Sequence, residues 1–172
     1  MLIIALIGLK KTGKTTTAEN LIREFTSRGK VVGGIKFMPN SKFSLDVEGK
    51  DTWRQRRAGA NFVISLSRRE ITFIGDKKEY AGLQDALNFV PEETDVLVCE
   101  GLNDDHPDIK KVLVVRDPEG LEETIRIRGI NGKITAISGL ISNSDWRHPH
   151  IPVLNTTCEK DLSELIDLLT EK

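Results

Sequence analysis

Cysteine is too scarce for a disulfide framework: the 172 residues include two, Cys99 and Cys158. Their spacing is not that of a zinc site. Both sit inside or beside apolar runs, so they read as buried small hydrophobes. A surplus of one charge is also lacking. Lys plus Arg is 25 and Asp plus Glu is 26, a net charge of −1. That balance argues against a dedicated nucleic-acid binder, whose affinity comes mainly from surplus cations neutralising phosphates. Long hydrophobic runs are missing too. The opening Leu2-Ile3-Ile4-Ala5-Leu6-Ile7 falls far short of the roughly 20 residues a membrane-spanning helix needs. It carries neither a charged leader nor a cleavage site, so no membrane contact is expected and the chain is expected to be cytoplasmic.

What is present suits a single domain, residues 1–172, by the soft prior of about 150 residues per domain. Short apolar runs bounded by turn residues recur at Leu2–Ile7, Val31–Phe37, Phe62–Leu66, Ile71–Ile74, Val96–Cys99, Val112–Val115, Ile134–Ile137 and Ile151–Leu154. Several are apolar throughout, as strands buried on both faces are. Helical spacing appears between them. Thr16–Arg28 carries Ala18, Leu21, Ile22 and Phe25 on one face and stops at Gly29, and Glu159–Thr170 carries Leu162, Leu165, Ile166 and Leu169. Lys50–Ala60 and Tyr80–Phe89 are further helical candidates. Alternating strands and helices predict an α/β, three-layer fold, a mainly parallel sheet with helices on both faces, and the segment Gly8-Leu9-Lys10-Lys11-Thr12-Gly13-Lys14-Thr15 between the first strand and helix makes it a P-loop NTPase fold. The short spacing between Phe62–Leu66 and Ile71–Ile74 predicts an antiparallel edge hairpin.

Gly8-Leu9-Lys10-Lys11-Thr12-Gly13-Lys14-Thr15 fits the Gly-x-x-x-x-Gly-Lys-Thr phosphate loop, with a strand before it and an amphipathic helix after it. The glycines let successive N–H groups converge on phosphate oxygens, and the helix adds its positive end. The site is therefore expected to comprise these eight residues together with Thr16 of the first helical turn. Lys14 is expected to reach the β- and γ-phosphates, and Thr15 to ligate Mg2+. Lys10 and Lys11 suit either phosphate contact or solvent. Val96-Leu97-Val98-Cys99-Glu100-Gly101 reads as a buried strand ending in an acid that would hold magnesium or its water. Asp46, in the long polar stretch Met38–Gly49, is the other candidate for magnesium or for positioning the attacking water. Glu100 and Asp46 are thus the candidate catalytic residues.

A rarer pattern narrows the reading. Ile35-Lys36, then Asp46-Val47-Glu48-Gly49-Lys50-Asp51, Arg54 and Ala58-Gly59-Ala60, then Glu100-Gly101 and finally Lys111 with Arg116-Asp117 resemble the molybdopterin-guanine dinucleotide biosynthesis protein B family over roughly residues 1–120. The resemblance implies a small homodimeric GTP-binding protein with weak GTPase activity. It also implies a partner, the molybdenum cofactor guanylyltransferase that attaches GMP to molybdopterin. Guanine preference rests on that resemblance alone, since Ser142-Asn143-Ser144-Asp145 lacks the lysine of the guanine-reading motif. Two departures stand out. Phe37-Met38-Pro39-Asn40-Ser41 follows Lys36 where many members have histidines, and Leu102-Asn103 stands where Phe-Lys is usual, which leaves direct molybdopterin contact open. Arg54, Arg56 and Arg57 are either a solvated face or an anion-binding one for a pterin phosphate or a partner protein. His106, His148 and His150 read as loop residues rather than ligands, and Asn155-Thr156-Thr157 as a base-facing loop. Two other functions stay in view: a small P-loop metabolite kinase, with Arg126 and Arg128 as the clustered lid arginines, and a GTPase metallochaperone. The latter is disfavoured by the absence of Cys and His from 38–51.

Overall fold

A computed structural model describes residues 1–38, 44, 46–75 and 82–171. Lys42, part of the long polar stretch, lies outside them, as do residues 80 and 81 of the helix expected at Tyr80–Phe89. The chain forms two compact units, one of Met1–Phe37 with Leu83–Lys172 and one of Met38–Gly82.

In the first unit the strands are β1 (Leu2–Ile7), β2 (Val32–Lys36), β5 (Val96–Glu100), β6 (Ile109–Val114) and β7 (Ala136–Ser138). All pair in parallel, in the order β2-β5-β1-β6-β7. The two-residue period of a strand sends alternate side chains of β1 into opposite layers. Ile4 and Leu6 pack with Leu21 and Phe25 of α1 (Lys14–Ser27) and with Leu165, Ile166 and Leu169 of α5 (Glu159–Thr170). Ala5 and Ile7 pack with Leu83 of α3 (Leu83–Leu87), Leu121 of α4 (Pro118–Arg128) and Ile141. Each large aliphatic side chain so buried contributes about 1.5–3 kcal/mol, and the three of α5 alone fix that helix to the sheet. Chain order reverses across β1, with β5 on one side and β6 on the other. The carboxyl end of β1 is therefore the switch point where an open α/β sheet receives its ligand.

The second unit holds the hairpin of β3 (Phe62–Leu66) and β4 (Ile71–Gly75), a two-stranded antiparallel sheet of its own, with α2 (Asp51–Arg57) before it. Gly49, at φ 83°, makes the turn into α2.

Three expectations need correction. Ile151–Leu154 is not a strand: only Val153 bridges Ile137, because Pro152 has no N–H to give and offers only its carbonyl, to Ile137 N–H at 2.9 Å. β6 begins at Ile109, ahead of Lys110 and Lys111, because Lys111 is satisfied in place: its ammonium donates to Asp105 and to the Asn131 carbonyl, both at 2.9 Å. Cys158 is exposed, as the N-cap of α5 at the head of a turn, and only Cys99 is a core residue. Burial pushes the Cys99 thiol up to about 12, which keeps it an unreactive thiol at neutral pH.

Candidate functional site

The loop Gly8–Gly13 leaves β1 at the switch point, and steric limits set its path. A Cβ on Gly8 would stand 2.1 Å from the Val114 carbonyl oxygen. Gly13 has φ 101°, and Lys11 takes the left-handed region at φ 59°, a conformation that costs a non-glycine residue about 1–2 kcal/mol. Gly13 is also the N-cap of α1, and no side chain caps that helix. No acid lies in its first turn either, so the free first-turn N–H groups and the dipole face outward together. An anion fits such a terminus, with Lys14, Thr15 and Thr16 as the residues that would hold it.

The Lys14 side chain folds back over the loop and donates to the Leu9 carbonyl. Desolvation holds its ammonium below the usual lysine range. Glu100 opposes that shift, while Arg128 and Lys36 add to it. The Thr15 hydroxyl lies 3.2 and 3.3 Å from the two Glu100 carboxylate oxygens. The structure thus brings together the two residues that the sequence named as magnesium ligands in this unit. Glu100 reaches the loop because Gly101 N–H bonds the Leu6 carbonyl at 2.9 Å, which fixes the end of β5 against the end of β1. A hydroxyl and a carboxylate are hard oxygen donors of the kind Mg2+ takes, and that ion keeps waters and substrate phosphates for its other positions. No group of three or more His, Cys, Asp or Glu that could hold a metal occurs among the described residues.

Asp46 lies in the other unit. Its carboxylate accepts from Thr52 at 2.7 Å and from Arg56 at 3.2 Å and is almost wholly buried. Arg57 lies over the Trp53 ring, 5.3 Å from the ring centre to its guanidinium carbon. Lys10 and Lys11 are exposed. His106 pairs with Asp108, whereas His148 stacks edge-on with His150. Asn155 donates its amide to Asn143 at 3.0 Å, and Thr156 receives Asn20 of α1 at 3.4 Å. Those contacts join the loop after Val153 to the 3-10 turn Leu140–Asn143 and to α1.

Three further residues meet the loop and its acid, of which the sequence suggests Arg128 only as a lid arginine of a kinase and Lys36 only within the family resemblance. Lys36 sits 3.5 Å from Glu100, a half-exposed pair of the sort worth about 0–1 kcal/mol. Arg128, at the end of α4, donates to the Gly8 carbonyl at 3.4 Å. Gly139, after β7, packs its backbone on the loop, where Leu140 N–H bonds the Thr12 carbonyl at 3.2 Å.

A parallel sheet with this loop after its central strand defines the class, a P-loop α/β fold. Comparison with known proteins is narrower. The model of the family described as molybdopterin guanine dinucleotide synthesis protein B matches residues 3–141, and the chain belongs to that family. It is 30% identical over 115 residues to a molybdopterin-guanine dinucleotide biosynthesis adapter protein of Haemophilus influenzae, covering 66% of this chain and 63% of that one. It is 25% identical over 122 residues to a putative adapter of the same kind from Methanocaldococcus jannaschii, covering 70% and 50%. The chain thus spans between half and two thirds of the length of these relatives. The solved Bacillus subtilis MobB superimposes with a TM-score of 0.76 over 100% of both chains at 21% identity, which shows a shared fold.

Proposed function

We propose that the chain binds Mg·GTP at Gly8–Thr16 and serves as the GTP-dependent accessory of the guanylyltransferase that attaches GMP to molybdopterin. The observation that carries the reading is the meeting of Lys14, Thr15 and Glu100 at an uncapped helix N-terminus, in a chain of this family. Bound magnesium would neutralise charge on the β- and γ-phosphates. The residues act around it: Thr15 and Glu100 hold it, Lys14 binds phosphate, and the loop N–H groups orient the chain of phosphates. Asp46, held by Thr52 and Arg56, is the second candidate for magnesium or its water. Residues 1–172 act in this reading as one functional domain, in the cytoplasm and as a homodimer, which light scattering would weigh directly. The adapter role of the Haemophilus relative supports an accessory over an independent enzyme.

Slow turnover follows from the same residues. No arginine lies in 38–49, Arg56 is engaged by Asp46 and Arg57 rests on Trp53, and an arginine that grips the bound triphosphate as firmly as its transition state adds no rate. A small GTPase without a transition-state arginine turns over at about 10⁻⁴–10⁻³ s⁻¹. The test measures GTPase turnover of the isolated protein beside guanylylated pterin formed by the transferase with and without it. Slow turnover and a GTP-dependent rise in guanylylated pterin are expected. Fast turnover on adding a small-molecule acceptor, with no effect on the transferase, would establish the kinase reading instead.

Glu100→Gln tests the metal assignment. It removes charge from the magnesium shell but leaves the phosphate donors, so binding should weaken by about tenfold with magnesium and by less than about twofold in chelator. Equal losses in titration calorimetry under both conditions would remove Glu100 from the metal shell.

A further inference from the structure

Arg128 lies 120 residues from Gly8 in sequence, yet its guanidinium reaches the Gly8 carbonyl. Lys14 bonds the next carbonyl, that of Leu9. Two cations from different elements therefore converge on consecutive carbonyls at the same end of the loop. That is the end over which the Lys14 ammonium lies, the group that reaches the β- and γ-phosphates in proteins with this loop.

The convergence is unfavourable by itself. Beside desolvation, which weighs most, Glu100 favours the charged form of Lys14, and Arg128 and Lys36 disfavour it. Lys14 thus has two cations, Arg128 and Lys36, and one acid, Glu100, acting on its charge. Among the described residues no carboxylate stands within ion-pair distance of Arg128. Its Nε is buried with no hydrogen-bond partner, a state that costs about 1–3 kcal/mol, more for a charged group. Its position is nonetheless fixed. The Asn103 amide donates to the Arg128 carbonyl at 2.7 Å, tying the residue to the loop that follows Glu100, and Gly129 at φ 57° ends the helix just beyond it. A half-buried, pinned guanidinium without a counter-charge, set beside a phosphate-binding lysine, is short of an anion.

We propose that Arg128 is a phosphate-contacting residue of this site that selects a nucleoside triphosphate over the diphosphate. The proposal rests on nucleotide binding at Gly8–Thr16. A terminal phosphate adds one negative charge to the magnesium complex and three oxygens to which a planar guanidinium can donate. The diphosphate ends before that group and leaves Arg128 where it is now, on the Gly8 carbonyl. Because the contact forms to the bound triphosphate as well as to its transition state, it raises affinity without raising turnover. A GTP-dependent accessory needs this property: it tells the two nucleotides apart and hydrolyses the first slowly.

The experiment compares a non-hydrolysable GTP analogue with GDP, both with magnesium, on the full chain by titration calorimetry. Arg128→Met keeps the aliphatic stem that packs beside the loop, and Arg128→Lys keeps the charge but not the fork. Circular dichroism melts of both variants report whether the fold survives. Arg128→Met is expected to bind the triphosphate analogue about tenfold to a hundredfold more weakly, as loss of one charge-assisted hydrogen bond implies, and GDP less than about threefold more weakly. Arg128→Lys should recover part of the difference. Equal weakening of both nucleotides, or of neither, would overturn the proposal and leave Arg128 as a tether of the Gly8 carbonyl. Lys14→Ala separates the two levels of inference. If it loses both nucleotides while Arg128→Met discriminates no worse than wild type, the site stands and the role of Arg128 falls. If the wild-type chain binds neither nucleotide, both fall.

Discussion

Lys14→Ala should lose about 2–5 kcal/mol of GTP affinity, roughly thirtyfold or more in dissociation constant, while the protein without nucleotide melts no lower than wild type. The first half follows from removing a partly desolvated charge from a phosphate site. The second follows from what the ammonium meets without a ligand. Its partner is the Leu9 carbonyl, and Arg128 and Lys36 both oppose its charge. Removing it ends a desolvation cost together with the attraction of Glu100 and the repulsion of Arg128 and Lys36, and it exposes no core, since the packed face of α1 is Thr17, Leu21 and Phe25. Calorimetric titration with Mg·GTP and a thermal melt without it check both halves. Full GTP affinity in the variant would remove the loop from nucleotide binding altogether, whereas a large drop in melting temperature would make Lys14 a structural residue.

What could be read in the sequence was whatever local pattern decides. β1, β3 and α5 fall at Leu2–Ile7, Phe62–Leu66 and Glu159–Thr170, the bounds their apolar spacing predicts. The α/β fold follows from alternation, and the loop from glycine and lysine spacing. The rest failed where tertiary partners overrule local pattern. Lys110 and Lys111 look like the outside of a strand, yet Asp105 and the Asn131 carbonyl make Lys111 a buried strand residue. α4 is not among the expected helices, because it has too few apolar residues for periodicity to reveal it, and its end signals alone do not outweigh that. Asp117 caps it through Gly120 N–H at 2.7 Å, Pro118 opens it and Gly129 closes it. In the candidate site, Lys14, Thr15 and Glu100 were legible because motif and strand end are local features. Arg128 was visible only as one of two clustered arginines, because nothing local says that the end of α4 returns to Gly8. Asp46 was chosen for its charge and its long polar stretch, and its bonds to Thr52 and Arg56 were not legible without coordinates.

Gly139→Ala should be strongly destabilising, at about 3 kcal/mol or more, for a reason no local pattern shows. Gly139 has φ 95° and ψ −153°, a region open essentially to glycine, which costs other residues about 1–3 kcal/mol. A Cβ there would also stand 2.6 Å from the Thr12 carbonyl oxygen, 2.7 Å from that of Val115 and 2.8 Å from a Val114 methyl. Two of these are backbone atoms and cannot rotate away, so an overpacking cost of about 1–3 kcal/mol adds to the strain. Gly129→Ala is the control. Gly129 also has a positive φ, 57°, but nothing lies within 4 Å of its added carbon, so only the left-handed cost of about 1–2 kcal/mol applies. In a chain of this size, 3 kcal/mol corresponds to a fall of roughly 6–12 °C in melting temperature. The displaced atom matters for function as well. Thr12 belongs to the loop, and its carbonyl receives Leu140 N–H, so any shift that makes room for the methyl moves the phosphate cradle. Gly139→Ala should therefore weaken Mg·GTP binding by about tenfold even at temperatures where it remains folded, whereas Gly129→Ala at the end of α4 should weaken it far less. Equal destabilisation by the two substitutions in denaturant titrations would mean that backbone conformation alone sets the cost and that Gly139 does not brace the loop.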